Sequence, residues 1–204
     1  MVSGWWGKGA PSTIKSVYPV FLGGCFEGKS VDQGVDQALK SIQESEYPDN
    51  SPDAAVKSWW HLKDSGAQLM AAICKRNQST ASPYLEKLSE LSTDAIYNQR
   101  PCAESPITFD RQITRVEVQS DTRAVVTAQI RNTTLPDQGV ALGPEDKKAK
   151  DAGEPMRYVL ERKDINSGWK IAQVSSYRSY TQSWENVLSK PEPSNHKWVY
   201  GWLQ

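Results

Sequence analysis

The chain has 204 residues, and its 24 Lys plus Arg balance 24 Asp plus Glu, so no long-range field is available to gather a polyanion or an acidic membrane surface, and this argues against nucleic acid as a partner. The length suits one domain with a sizeable core, and eight Trp with eight Tyr enlarge the apolar area that each buried side chain contributes. No stretch approaches the roughly 18 apolar residues of a spanning helix, so no integral membrane segment is expected.

Residues 1–29 are rich in Gly, Pro and aromatic side chains without a period and read as an irregular N-terminal arm. Within it, Lys8 and Lys15 precede a short apolar run, and Leu22-Gly23-Gly24-Cys25 looks like a bacterial lipoprotein processing site. Pro19 interrupts that run, so a cytoplasmic protein with an ordered arm is the favoured reading and an envelope lipoprotein anchored through Cys25 the alternative. Cys25, Cys74 and Cys102 form no C-x-x-C pair, neither histidine belongs to a metal-binding spacing, and the chain is expected to fold without metal or cofactor. An odd cysteine count favours reduced thiols, with a bond between Cys74 and Cys102 as the alternative.

The main domain is expected over residues 30–180. Ser30 and Gln33 make a capping-box pattern, and Val31, Val35, Leu39 and Ile42 continue it at helical spacing. Ser51-Pro52-Asp53 opens the clearest helix: a good N-cap, a proline preorganised for the first turn, and an acid opposing the helix dipole. Ala55, Val56, Trp59 and Trp60 give it one apolar face, and Asp64-Ser65-Gly66 is expected to break it, with a short successor running through Ile73 and Cys74. Ser82-Pro83 starts a third helix through Tyr84, Leu88 and Leu91 towards Ile96.

From Pro106 the period becomes two. Strands are expected over 106–119, 123–133, 155–164 and 168–178, joined as antiparallel hairpins by Ser120-Asp121-Thr122 and Asn166-Ser167-Gly168. Ile107, Phe109 and Ile113 have one parity and Val116 and Val118 the other, so a bulge near Thr114 and Arg115 is expected to turn both sets to the core, and a second slip brings Val174 inward. Leu135 to Gly153 reads as a mobile loop. Residues 181–204 read as an aromatic-rich tail in which Trp184, Trp198, Tyr200 and Trp202, with Trp5 and Trp6 of the arm, are candidate anchors for a protein partner or for homo-oligomer formation.

This order of elements, with the hairpin Arg157-Tyr158-Val159-Leu160-Glu161-Arg162 returning as Gly168-Trp169-Lys170-Ile171, resembles the NTF2-like (cystatin-like) superfamily over about residues 52–177. The resemblance implies an α+β fold in which N-terminal helices pack on a curved antiparallel sheet and enclose a cone. It leaves function open, since such domains include isomerases, dehydratases and cyclases as well as noncatalytic modules. The residues placed to line a cone and meet a small apolar ligand are Trp60, His61, Asp64, Tyr97, Tyr158 and Trp169, with Asp110 as a further acid.

Each polar candidate also has a structural reading. His61 follows Trp60 and so lies about 100° around the helix, towards solvent. Asp64 fits a helix end, and Asp110 has the parity opposite to Phe109. Tyr158 shares the parity of Met156 and Leu160 and suits a core tyrosine with a satisfied hydroxyl. No acid–base set is recoverable from spacing, which places a noncatalytic module binding a protein partner or small apolar ligand ahead of an isomerase, dehydratase or cyclase.

Overall fold

A computed structural model describes residues 31–73, 81–93, 107–136 and 139–189. The expectations that fall on the N-terminal arm, Cys25, Cys74, Tyr97, Cys102, Trp198, Tyr200 and Trp202 lie outside the described residues. The fold is α+β: helices α1 (Val31–Glu44), α2 (Pro52–Ile73) and α3 (Ser82–Leu91) come first, followed by strands β1 (Phe109–Ser120) and β2 (Arg123–Asn132), helix α4 (Pro144–Ala152), and strands β3 (Glu154–Glu161), β4 (Lys170–Arg178) and β5 (Ser183–Ser189). The strands form one antiparallel sheet in sequential order β1-β2-β3-β4-β5.

The start of α2 follows from its first residues. The Ala54 N–H donates to Ser51 Oγ at 3.4 Å, and the Ser51 hydroxyl donates to Asp53 at 2.8 Å. Hydrogen bonds from Lys57 and Ser51 hold the Asp53 carboxyl below its ordinary range. The expected break at Asp64-Ser65-Gly66 does not occur, and α2 runs for 22 residues. Unfavourable propensities of about 1 kcal/mol or less per residue are overridden by the burial of Leu62, Leu69 and Ile73 on either side of the three residues. Gly66 serves as a notch instead: a Cβ there would lie 2.1 Å from the Tyr84 ring of α3. The third helix stops at Leu91 rather than continuing towards Ile96, because Ser92 turns extended and bridges to Ile171, with the Thr93 N–H on the Ile171 carbonyl at 2.9 Å.

The sheet reproduces the expected strands and both register slips. β1 and β2 shift between Ile113 and Arg115, and β4 has an extra residue at Ala172, since Val159 pairs with Gln173 and Leu160 with Ile171. That slip turns both Ile171 and Val174 into the core. Val116 and Val118 are a correction. They pair with the buried Val126 and Ala124 and so share the helix-facing side of the sheet, yet both are exposed. They sit on the edge strand, where among the described residues a neighbouring strand is present on one side only.

Two further expectations are revised. The segment read as a mobile loop contains α4, opened by Pro144 and two acids and closed by Gly153, whose N–H donates to the Ala149 carbonyl at 3.0 Å from a left-handed conformation with φ of 69°. The Gln129 side-chain amide donates to the Ala152 carbonyl at 2.6 Å and fastens this helix to β2. The stretch after residue 180 also joins the sheet, as β5, and the rest of the expected tail lies outside the described residues.

α2 lies against β1, β2 and β4, and the core between the helices and the sheet contains Trp59, Trp60, Leu62, Val126, Tyr158, Leu160 and Ile171. Among the described residues no helix is long and apolar enough to cross a membrane. Gly66→Ala is expected to lower stability in urea by about 1 to 2 kcal/mol, the cost of overpacking against Tyr84 exceeding the roughly 1 kcal/mol that alanine gains in a helix. Gly34 of α1, where an added methyl would meet nothing within 4 Å, is the control, and Gly34→Ala is expected to raise stability by about 0.5 to 1 kcal/mol.

Candidate functional site

Two residues 98 apart in sequence meet at the centre of the helix–sheet interface. Trp60 projects from α2, and Tyr158 projects from β3 between its register partners Val126 and Val174. The Trp60 indole N–H donates to the Tyr158 hydroxyl at 2.8 Å, and the rings meet edge to face at 5.7 Å. Burial pushes the Tyr158 phenol up to about 12, against the smaller lowering effects of the Trp60 hydrogen bond and the Arg111 charge.

Asp64 lies one turn after Trp60 on the same face of α2, and Arg111 of β1 meets it with two parallel hydrogen bonds of 2.6 and 2.7 Å. The Arg111 guanidinium also stands 5.7 Å from the Trp60 ring centre and 4.9 Å from that of Phe109. Its side chain is 13% exposed and that of Asp64 46%, so the pair sits at the boundary between core and solvent. Asp64 is therefore an ion-pair residue within a continuing helix, which corrects its reading as a helix end. Arg111 is missing from the residues that sequence pattern singles out. A signal for it exists, because Arg111 has the parity of Phe109 and Ile113, and a cation at an inward-facing strand position requires a partner.

The other candidates are dispersed. His61 is exposed, as its angular offset from Trp60 suggests. It lies 3.4 Å from the Ser45 hydroxyl and 5.7 Å from the Tyr47 ring, and lines an open cleft of about 280 Å³ with Glu46, Asp53 and Lys57. Trp169 is buried immediately before β4, with the Arg162 guanidinium 4.4 Å from its ring centre and its backbone N–H on the Asp49 carbonyl at 2.8 Å. Asp110 points away from the core and pairs with Arg131. Trp184 lies on the face of the sheet opposite the helices, edge to face with Tyr177 at 5.5 Å and with the Arg157 guanidinium 4.0 Å from its ring centre. Its indole is thus occupied by its own sheet.

The arrangement joins Trp60, Asp64 and Tyr158 through Arg111 and leaves His61 and Trp169 outside that set. Among the described residues no group of three or more His, Cys, Asp or Glu is placed to hold a metal ion. Compared with known proteins, the chain matches no family model, no curated protein and no solved structure.

Replacing Tyr158 with Phe removes the acceptor and strands a buried indole N–H, so Tyr158→Phe is expected to cost about 1 to 3 kcal/mol in urea denaturation. A double-mutant cycle with Trp60→Phe is expected to give a coupling of about 1 kcal/mol. The pH dependence has a definite sign. Below pH 10 the phenol is protonated in both folded and unfolded chains; between pH 10 and about 12 only the unfolded chain ionises, so stability falls as pH rises. The wild type is expected to lose roughly 2 to 3 kcal/mol more over that interval than Tyr158→Phe, measured as the difference between their denaturation curves.

Proposed function

We propose that this protein is a noncatalytic binding module of NTF2-like type whose ligand is a protein partner. The observation that carries the reading is the buried hydrogen bond of 2.8 Å between Trp60 and Tyr158. It consumes the polar groups that face the helix–sheet interior, where an enzyme of the isomerase, dehydratase or cyclase kind needs them turned towards a substrate. Tyr158, at about 12, holds its proton at neutral pH, and both carboxylate oxygens of Asp64 are engaged by Arg111. The order of helices before an antiparallel sheet, with α2 lying against the strands, supports the NTF2-like assignment.

A protein partner is preferred over a small apolar ligand because Trp60, Tyr158, Leu160 and Val126 fill the space that such a ligand would take between α2 and the sheet. Native mass spectrometry of the protein purified from its own cells tests the reading. A stoichiometric protein partner with no small molecule is the expected outcome. A small molecule released on denaturation and turned over by the protein would overturn it.

A further inference from the structure

β1 is an edge strand of 12 residues, and among the described residues it pairs with β2 alone. An unpaired edge offers a row of backbone donors and acceptors to another strand, and proteins commonly guard such edges with proline, lysine or a bulge. Residues 109–120 contain neither proline nor lysine. The register irregularities after Ile113 and after Val118 leave the four residues Arg115, Val116, Glu117 and Val118 as a regular stretch between them. On the helix side of this stretch Val116 is 43% and Val118 63% exposed. On the other side Arg115 and Glu117 form an exposed ion pair.

We propose that this edge pairs with the same edge of a second copy of the chain, antiparallel about a two-fold axis at Val116, so that the two five-stranded sheets become one continuous sheet. The charge pattern of the strand argues for a copy of itself as the occupant. With the axis at Val116, Arg115 of each copy stands opposite Glu117 of the other, and the two existing ion pairs become an alternating quartet. An axis perpendicular to the sheet keeps both sets of helices on one side, so Val116 and Val118 of the two copies form one apolar strip there. Moving the axis by one residue sets Arg115 against Arg115 or Glu117 against Glu117. Like charges directly opposite are unfavourable, so the same pattern selects the register.

The test is sedimentation of the full chain and of two charge-reversal variants, with circular dichroism confirming that each is folded. Wild type is expected to sediment as a dimer in the micromolar range. Arg115→Glu sets a glutamate opposite Glu117 of the other copy, and Glu117→Arg sets an arginine opposite Arg115. Each variant alone is expected to weaken self-association by about tenfold or more. In an equimolar mixture of the two, the glutamates at 115 and 117 of Arg115→Glu stand opposite the arginines at 117 and 115 of Glu117→Arg, so the mixture is expected to recover association of about wild-type strength as a heterodimer, and a mixture as weak as the single variants would overturn the register. The double variant Arg115→Glu with Glu117→Arg reinstates both opposed pairs between identical copies and is expected to dimerise with wild-type affinity. A monomeric wild type would overturn the proposal. So would a dimer that neither single variant weakens, since association would then use another surface, and so would a double variant that fails to recover the dimer.

Discussion

The hydrogen bond from the Trp60 indole to the Tyr158 hydroxyl ties the first half of the chain to the second. Each partner carries one polar group into an otherwise apolar interior, and neither can be buried there cheaply alone. Together they set the rotation of α2 about its axis and its position along β3. With Trp60 directed at the sheet, Asp64 one turn later faces the same way and reaches Arg111, while His61 is carried round to the solvent side. The same geometry thus explains which candidate residues converge and which do not.

That constraint also gives meaning to the Arg111–Asp64 pair. A bidentate pair at the boundary of the core, with the guanidinium beside two aromatic rings, closes the end of the interface without requiring either charge to be fully desolvated. It fastens the edge strand β1 to α2, so the exposed part of β1 is the part beyond this clamp. Val116 and Val118 belong to that part, which is why the residues with the correct face remain open to solvent. A strand clamped at one end, with a regular four-residue stretch and exposed valines beyond the clamp, is the structural basis for the proposed self-pairing.

Elsewhere the sheet is finished by local structure. α4 covers part of β2 through Gln129, its Lys150 reaches the Thr134 carbonyl, and β5 extends the sheet beyond β4 with Trp184 packed on Tyr177 and Arg157. Both elements are legible in the sequence only in part. Pro144, Glu145, Asp146 and Gly153 carry start and stop signals for a helix, but the residues between them are polar on all sides and give no apolar period. In β5 the slip between Val174 and Ser175 places Leu188 on one face and Trp184 on the other, and a strand of seven residues is too short for the alternation to survive a bulge.

Local features with one dominant cause can be read from the residues alone: the capped start of α2, the two hairpins with their turns, the bulge near Thr114, the slip that buries Val174, and the inward faces of Trp60 and Tyr158. These are set by neighbours within a few residues, through backbone sterics and side-chain period. The remaining features depend on contacts between residues distant in sequence. Whether Asp64-Ser65-Gly66 breaks a helix depends on Tyr84 filling the notch at Gly66, and whether Asp64 caps a helix or binds a cation depends on an arginine 47 residues away. Whether Val116 is covered depends on its position at the edge of the sheet. In each case the propensity at stake is about 1 kcal/mol or less, and packing or pairing with a distant partner outweighs it.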